Sequence, residues 1–537
     1  MIAGREAVLP RIRPEELEEL ACEHGFGISP DELPEYLALT ELVLGVLDGL
    51  DGPDPRTPAV DAVAPARRDL GRQPGPGEDP YNAVVRWCLV ESEPEGPLSG
   101  LSVACKDSIS IAGVPMTCGS RILESYVPAR DSVVVERILG AGGRIVAITN
   151  MDDLAFSGGG DTSCYGPTLC PFDQTRTAGG SSSGSAAALW YEGVDLSVGT
   201  DQGGSIRVPA AWCGALGLKP THGLVPYTGL AGIDQTFDHA GPMARTVEGL
   251  AALLSVIAGK HPSDPRQREV PASDYRLAVA QAPDELGGIR IGVVAEGFGA
   301  EVGCDDRVGI AVREATERLR ALGAELVELS LPEHVRCGDI AFAGFVEGMT
   351  ALLAGGGNGY HWAGRYAPDL ALALRDGLTH RAGALPPQLK LVLAVGTHLR
   401  RRYRGAVYAR AQNLRPWLRA AHDRALADVD VLLLPTTPGL PHPVAPELGL
   451  ADRVGRGWAV LANTYPTDMT GHPALTVPAA DVDGLPVGVM LVGRHFEDAR
   501  LLAIARSYEQ HYGWLPARSP APAVTVPATD RRVMGDR

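Results

Sequence analysis

The chain has 537 residues, of which 45% are hydrophobic, and this supplies enough apolar material for a large folded core. Its formal net charge is −17, and such an acidic surface disfavours nucleic acid partners, which bind through clustered lysine and arginine. No stretch approaches the length of uninterrupted apolar residues that a bilayer requires, so we expect no membrane partner and a cytoplasmic protein.

Cysteine usage agrees with a reducing compartment. Nine cysteines are scattered along the chain without a Cys-x-x-Cys pair, and an odd number cannot all be paired as disulfides. We therefore expect reduced thiols that are mostly buried.

The first predicted elements are helices. Pro14 suits a first helical turn, Gly25 suits a stop, and Leu39, Leu42 and Val46 recur at helical spacing with Val43 and Leu50. Residues 51–79 then collect prolines and glycines, a composition typical of a linker. Residues 1–80 are thus predicted to form a helical segment and linker, whose apolar stripe covers either the catalytic domain or a second copy of the chain.

The rest of the chain alternates helices and strands, which predicts an α/β fold with helices on both sides of a sheet. Ser132 or Asp131 can cap a helix that ends at residues 140–143, and residues 144–148 follow as a strand. The pattern returns as a strand at 289–294, a helix face at 308–322 and a strand at 325–329, and then as helical material at 370–426 and a strand at 431–434. We predict one catalytic domain over residues 81–515 and a flexible tail over 516–537. The loop 355–359, GGGNG, either borders the substrate entrance or is a surface turn.

A lysine follows a short apolar run at residues 101–107, LSVACKD. Lysine is rarely buried without a partner, so Lys106 is either a functional group or one half of an ion pair with Asp107. Cys105 points to the opposite face of the strand and is predicted to belong to the core.

Two glycine- and serine-rich loops follow. Residues 178–188, AGGSSSGSAAA, lead into a helix and could cradle a phosphate, but a P-loop ends in Gly-Lys-Ser/Thr and no lysine lies between Lys106 and Lys219. Residues 199–207, GTDQGGSIR, place Ser205 behind two glycines, where backbone N–H groups can converge on a developing negative charge. Alone, each loop is more typical of a flexible turn.

Together the three segments resemble the amidase signature family of serine hydrolases in residue type, order and spacing, with gaps of 75 and 24 residues between Lys106, Ser181 and Ser205. The wording of the last loop is most similar to the bacterial enantioselective amidases linked to nitrile hydratase. Residues 223–229, GLVPYTG, and 470–475, TGHPAL, agree, so the resemblance covers roughly residues 81–512. It implies a large mixed sheet covered by helices on both faces, and a small N-terminal helical appendage that favours a homodimer.

The resemblance also implies roles for individual residues. Lys106, neutral through burial, would accept a proton through Ser181 from the nucleophile Ser205, with Ser181 following a cis peptide bond. The oxyanion hole would consist of the backbone N–H groups of Gln202, Gly203, Gly204 and Ser205. The substrate-binding residues would be Phe156, Gln202 and Ser182, although Phe156 is equally consistent with core packing and Ser182 with a supporting hydrogen bond.

Three further points complete the prediction for the site. Ser183 stands where many relatives carry glycine. Asp201 and Arg207 are interpreted as a structural ion pair, since arginine cannot accept a proton. The acyl pocket is expected near Trp362 and near residues 463–471.

The predicted function is hydrolysis of a small aliphatic or aromatic carboxamide to a carboxylic acid and ammonia. No metal or organic cofactor is expected, since the chain carries no His-x-x-x-His pair, cysteine knuckle or dinucleotide loop. An acyl transferase or transamidase that uses the same acyl-enzyme is the alternative. The ammonia-transferring protein that amidates misacylated transfer RNA is disfavoured by the acidic surface and the helical appendage, and a catalytically silent binding scaffold ranks lowest.

Overall fold

The computed structural model describes residues 9–48, residues 67–516 apart from 94 and 358, and residue 520. The chain divides into two compact units, Met1–Ala62 and Val63–Arg537. Apart from residues 516 and 520, the predicted C-terminal tail lies outside the described residues.

The first unit contains two helices, α1 (Pro14–Glu23) and α2 (Leu33–Leu47). Pro14 occupies the first turn of α1, and Gly25 follows its end with a φ of +80°, as the sequence predicts. The apolar positions of α2 face solvent: Leu42 is 64% and Val46 68% exposed. Leu50, the last residue of the predicted stripe, lies outside the described residues.

The second unit is built on one sheet of twelve strands and a separate two-stranded ribbon. The strands are β1 (Arg67–Arg72), β2 (Val84–Glu91), β3 (Ser102–Lys106), β4 (Arg144–Thr149), β5 (Leu169–Cys170), β6 (Asp173–Thr177), β7 (Leu196–Asp201), β8 (Leu216–Lys219), β9 (His239–Ala244), β10 (Arg290–Val294), β11 (Glu325–Leu329), β12 (Val431–Pro435), β13 (Ala474–Val482) and β14 (Leu485–Val492). The strand order of the large sheet is β1-β2-β4-β3-β7-β9-β8-β13-β14-β12-β10-β11, and β5 pairs with β6 in the ribbon. The sheet is mixed, because β3 runs parallel to β4 and β7 whereas β7 and β9 are antiparallel.

Helices cover both faces of this sheet. They are α3 (Val133–Gly140), α4 (Ser183–Ala187), α5 (Arg207–Trp212), α6 (Val247–Ile257), α7 (Tyr275–Ala280), α8 (Asp306–Ala321), α9 (Glu333–Ala343), α10 (Met349–Ala354), α11 (Pro368–Arg381), α12 (Pro387–Tyr403), α13 (Ala406–Asp428), α14 (Leu450–Ala459), α15 (Tyr465–Thr470) and α16 (Asp498–Tyr512). In β3, Cys105 packs in a cluster with Leu250 of α6, whereas Ala104 packs in a second cluster with Ala187 of α4. Successive strand residues point to opposite faces, so the two clusters lie on the two sides of the sheet. The predicted α/β fold is confirmed.

Most predicted elements of this unit are observed. Ser132 caps α3 by accepting a hydrogen bond from the backbone N–H of Val135, and β4, α8, β10, β11 and β12 lie where periodicity places them. One prediction is wrong. Arg67–Arg72, assigned to the linker, forms the edge strand β1 against β2, because its backbone pairs even though its side chains show no apolar alternation.

Candidate active site

Two adjacent parallel strands bring the predicted catalytic segments together. Cys105 of β3 pairs with Val198 of β7, so both strands end at the same edge of the sheet. Lys106 is the last residue of β3, and the loop that carries Ser205 starts directly after β7. Their proximity follows from the parallel pairing, since the carboxyl ends of parallel strands meet at one edge.

Lys106 is fully buried, and its hydrogen bonds go to uncharged oxygens. Nζ lies 2.7 Å from the Ser181 hydroxyl, 2.8 Å from the Thr200 hydroxyl and 3.4 Å from the Thr200 carbonyl oxygen. Burial lowers the pKa of Lys106 from 10.5 to about 7, although Asp152 and Asp201 act in the opposite direction. A substantial fraction of the side chain is therefore a neutral amine near neutral pH. Thr200, which sequence analysis did not single out, helps to hold it.

The alternative ion pair between Lys106 and Asp107 does not form. The Asp107 carboxylate accepts hydrogen bonds from the backbone N–H groups of Thr117 and Gly119 and from the Thr117 hydroxyl. It therefore braces a turn on another side of the strand. The Lys106 amine is left facing Ser181.

The loop before α4 presents Ser181 to Lys106. The Gly180–Ser181 peptide bond is cis, as the resemblance implies. Residue 180 must be glycine, because a Cβ there would lie 1.8 Å from the carboxylate of Asp152. Ser183 is buried and contacts the Thr168 hydroxyl at 3.0 Å, so it helps to anchor the loop.

Ser182 is not placed as a substrate-binding residue. Its hydroxyl donates to the Thr200 carbonyl oxygen at 3.1 Å and accepts from the Thr200 N–H at 3.3 Å, and the residue is fully buried. Its backbone N–H donates to the Ser205 carbonyl oxygen at 3.0 Å. The structure thus corrects the substrate-binding assignment and supports the structural alternative, in which Ser182 ties the two serine loops together.

A buried ion pair shapes the loop of Ser205. Asp201 and Arg207 are both shielded from solvent, and two guanidinium nitrogens of Arg207 each lie 2.9 Å from the Asp201 carboxylate. Burial would raise the pKa of Asp201, but the charge of Arg207 outweighs it and holds this pKa well below its usual range. Arg207 also donates to Asp468 at 2.7 Å, which braces the loop against α15. The interpretation of the pair as structural is supported.

The same carboxylate changes the predicted oxyanion hole. The backbone N–H of Gly204 donates to Asp201 at 2.6 Å and is not free for a substrate. Among the described residues, no acceptor binds the backbone N–H groups of Gln202, Gly203 and Ser205. The predicted set is therefore corrected to three donors, with Gly204 shaping the turn.

The Gln202 side chain has one amide atom committed and one available. Its Nε2 donates to the Tyr227 hydroxyl at 2.8 Å, and that hydroxyl in turn donates to the Ala231 carbonyl oxygen at 3.0 Å. Since the hydroxyl proton is used, Tyr227 must accept from the amide nitrogen, which orients the side chain. Gln202 Oε1 is then a buried acceptor without a partner in a pocket beside Ser205.

Aromatic side chains line that pocket. Phe156 is there as predicted, and its ring centroid lies 6.1 Å from Phe345 and 6.5 Å from Trp458 in edge-on contacts. Phe342 completes the wall, with its ring centroid 5.0 Å from that of Trp458. Sequence analysis missed Phe342, Phe345 and Trp458, since two aromatics three residues apart in an apolar helix look like core packing.

The stretch at 463–471 lies against the nucleophile loop, but Trp362 is not among the described residues that line this pocket. The Thr464 hydroxyl donates to the Gly203 carbonyl oxygen at 2.5 Å. A Cβ at Gly203 would lie 3.2 Å from the ring of Tyr465. The expectation near Trp362 is therefore wrong for the Ser205 pocket.

Among the residues that the structure describes, one helical run is long and apolar enough to cross a membrane, Glu333–Ala354. It comprises α9, α10 and the π-helical turn Gly344–Gly348 between them, and 56% of its most apolar window is buried within the protein. This run supplies Phe342 and Phe345 to the pocket, as a core helix would. All nine cysteines are free thiols, and most of them are buried.

Comparison with known proteins assigns the family. The family model described as Amidase matches residues 88–502. The chain belongs to the amidase family. It is 38% identical to an enantioselective amidase of Rhodococcus rhodochrous over 94% of this chain and 96% of that protein, and 40% identical to a glutamyl-tRNA(Gln) amidotransferase subunit of Halobacterium salinarum over 80% and 99%, respectively.

Solved structures agree with the family. The peptide amidase of Stenotrophomonas maltophilia is similar with a TM-score of 0.63 and 29% identity, covering 79% of this chain and 85% of that one. A glutamyl-tRNA(Gln) amidotransferase subunit of Thermotoga maritima is similar with a TM-score of 0.67 and 28% identity, covering 84% and 91%. The chain is thus an enzyme of the amidase signature type, a hydrolase that acts on amide C–N bonds.

Proposed function

We propose that this enzyme hydrolyses a carboxamide to a carboxylic acid and ammonia through an acyl-enzyme on Ser205, with Ser181 and Lys106 as proton relay and base. The observation that carries the proposal is the Lys106 amine, fully buried and 2.7 Å from the Ser181 hydroxyl. A lysine with a pKa of about 7 is matched to accept a proton near neutral pH.

The chemistry proceeds in two halves. Ser205 gives its proton to Ser181, which passes its own to neutral Lys106, while Ser205 Oγ bonds to the amide carbon and the carbonyl electrons move onto oxygen. The N–H groups of Gln202, Gly203 and Ser205 stabilise this oxyanion. The C–N bond then breaks as the proton returns through Ser181 to the nitrogen, which leaves as ammonia. Water next attacks the ester by the same relay, and the carboxylic acid departs.

The pocket supports a small aliphatic or aromatic acyl group. The rings of Phe156, Phe342, Phe345 and Trp458 offer apolar surface to the acyl chain. Gln202 Oε1 can accept a hydrogen bond from the substrate amide nitrogen, so it favours a primary amide. Recognition of this kind penalises an ester, which leaves the acceptor without a donor.

Ammonia release from a panel of aliphatic, aromatic and amino-acid amides tests the proposal. We expect Ser205→Ala to lower kcat at least about a thousandfold, and Lys106→Met to be comparably impaired, because the residues of a relay act as a unit. The exposed lysine variant Lys260→Met is the control and should retain full turnover. Undiminished ammonia release by Ser205→Ala would contradict the mechanism. Labelling of Ser205 by a fluorophosphonate probe would in addition exclude the silent scaffold.

Acyl transfer to an amine is the second candidate, supported by the similarity to amidotransferase subunits. Hydrolysis is favoured because the enantioselective amidase matches 94% of the chain, against 80% for the amidotransferase protein from Halobacterium salinarum, and because the net charge of −17 opposes binding to transfer RNA. Competition between water and hydroxylamine distinguishes the two: a hydrolase yields mainly free acid at low hydroxylamine, and a transferase yields mainly the hydroxamate.

We further propose a cytoplasmic homodimer formed through α2. Its exposed Leu39, Leu42, Val43 and Val46 present an apolar stripe that a second copy can cover. Sedimentation velocity should show a dimer for the wild type and a monomer for Leu42→Glu/Val46→Glu. An unchanged dimer in that variant would assign the interface to another surface.

A further inference from the structure

Three potential metal ligands converge on the side of α15 that faces away from its contact with Arg207. Asp423 comes from α13, His472 follows α15, and His495 lies between β14 and α16. Their ligating atoms all lie within 4.8 Å of one another. His472 Nε2 is 3.0 Å and His495 Nδ1 is 4.0 Å from the same carboxylate oxygen of Asp423.

We propose that Asp423, His472 and His495 form a binding site for a divalent transition-metal ion, of which Zn²⁺ fits best. Two imidazoles and one carboxylate are the donor set that Zn²⁺ accepts, whereas Mg²⁺ and Ca²⁺ require oxygen ligands throughout. Zinc–ligand bonds of about 2.0–2.2 Å in a tetrahedral site place the ligand atoms roughly 3.3–3.5 Å apart. The observed separations of 3.0 and 4.0 Å need only sub-ångström adjustment.

Thr470 supports both imidazoles from behind. Its carbonyl oxygen lies 3.1 Å from His495 Nε2, and a carbonyl can only accept, so this nitrogen carries the proton and Nδ1 presents its lone pair towards Asp423. The Thr470 hydroxyl lies 2.9 Å from His472 Nδ1 and can accept its proton, which frees Nε2 to bind a metal. Such outer hydrogen bonds, which set the tautomer and ring orientation, accompany most histidine ligands of metals.

Solvent access makes the site open rather than closed. The His472 side chain is fully buried and that of His495 is 16% exposed, but that of Asp423 is 54% exposed. Water can therefore complete the coordination, and the ion can enter through the Asp423 side. None of the three residues lines the Ser205 pocket, so the ion would act structurally, linking α13 to the segments after α15 and β14.

Isothermal titration calorimetry of tag-free, chelator-treated protein with ZnCl₂ tests the site. We expect one Zn²⁺ per chain, no heat with MgCl₂, and a melting temperature raised by zinc. Asp423→Asn keeps the shape of a half-exposed side chain and should weaken zinc binding at least tenfold, as should His495→Ala. His398→Ala, which removes an exposed histidine from α12, is the matched control and should bind like the wild type.

The outcomes are decisive in either direction. Equal zinc affinity in the wild type and Asp423→Asn, or no binding by the wild type, overturns the site. Far-ultraviolet circular dichroism of each variant shows whether a loss of binding reflects unfolding. If His495→Ala unfolds, Asp423→Asn still decides the question.

Discussion

The pKa of Lys106 can be shifted without touching any predicted catalytic residue. Lowering it from 10.5 to about 7 corresponds to a cost of about 5 kcal/mol for the buried ammonium relative to the exposed one. The Thr200 hydroxyl offsets part of this cost by accepting a hydrogen bond from Nζ at 2.8 Å. Thr200→Val removes that acceptor, which is worth on the order of 1 kcal/mol, so the pKa should fall by nearly one further unit, to about 6.

The sign follows from the role of the amine. Protonated Lys106 cannot accept a proton, so below its pKa kcat/KM should fall about tenfold per pH unit, and above it kcat/KM should reach a plateau. At pH 6 the wild type should retain about a tenth of its plateau value, and Thr200→Val about half of its own. The assay is ammonia release from one carboxamide between pH 5 and 9.

A second buried group titrates nearby and must be distinguished. Burial raises the pKa of Asp152 to about 6, but its carboxylate is bonded to Gly160 and Thr162, which Thr200→Val leaves in place. Thr316→Val, in α8, is the matched control, because it removes a buried hydroxyl that donates to a helix carbonyl. An acid limb that stays near pH 7 in Thr200→Val, or moves equally in Thr316→Val, would refute the assignment of that limb to Lys106.

Three further substitutions probe the framework of the site. Asp201→Asn should destabilise the fold by about 3–5 kcal/mol in chemical denaturation, because it leaves a buried guanidinium without its main counter-charge, whereas the exposed-pair variant Asp305→Asn should cost less than about 1 kcal/mol. Gly180→Ala should abolish activity and lower the melting temperature, since its Cβ would overlap a carboxylate, while Gly338→Ala, a helical position with open space around it, should fold normally. Phe156→Ala should lower kcat/KM for aromatic amides about 10–100-fold relative to acetamide, and equal losses for both would show that the ring serves only the core.

Local signals in the sequence predicted much of this enzyme. Helical periodicity located α8, alternation and turn residues located β4 and β11, and Ser132 was identified as a cap. The order of lysine, glycine-serine loop and glycine-glycine-serine loop indicated the family, because the chemistry needs these residue types in these backbone settings. Such features depend on residues near one another in the chain, where the sequence pattern is read directly.

Tertiary structure decided how the side chains are partnered. Asp201 takes the N–H of Gly204 out of the oxyanion hole, Ser182 bonds to Thr200 rather than to a substrate, and Phe345 enters the pocket from a helix far along the chain. The edge strand β1 forms from a segment whose side chains carry no strand pattern. A hydrogen-bonding group or an aromatic ring has many possible partners, and long-range packing of the twelve-stranded sheet and its helices selects among them.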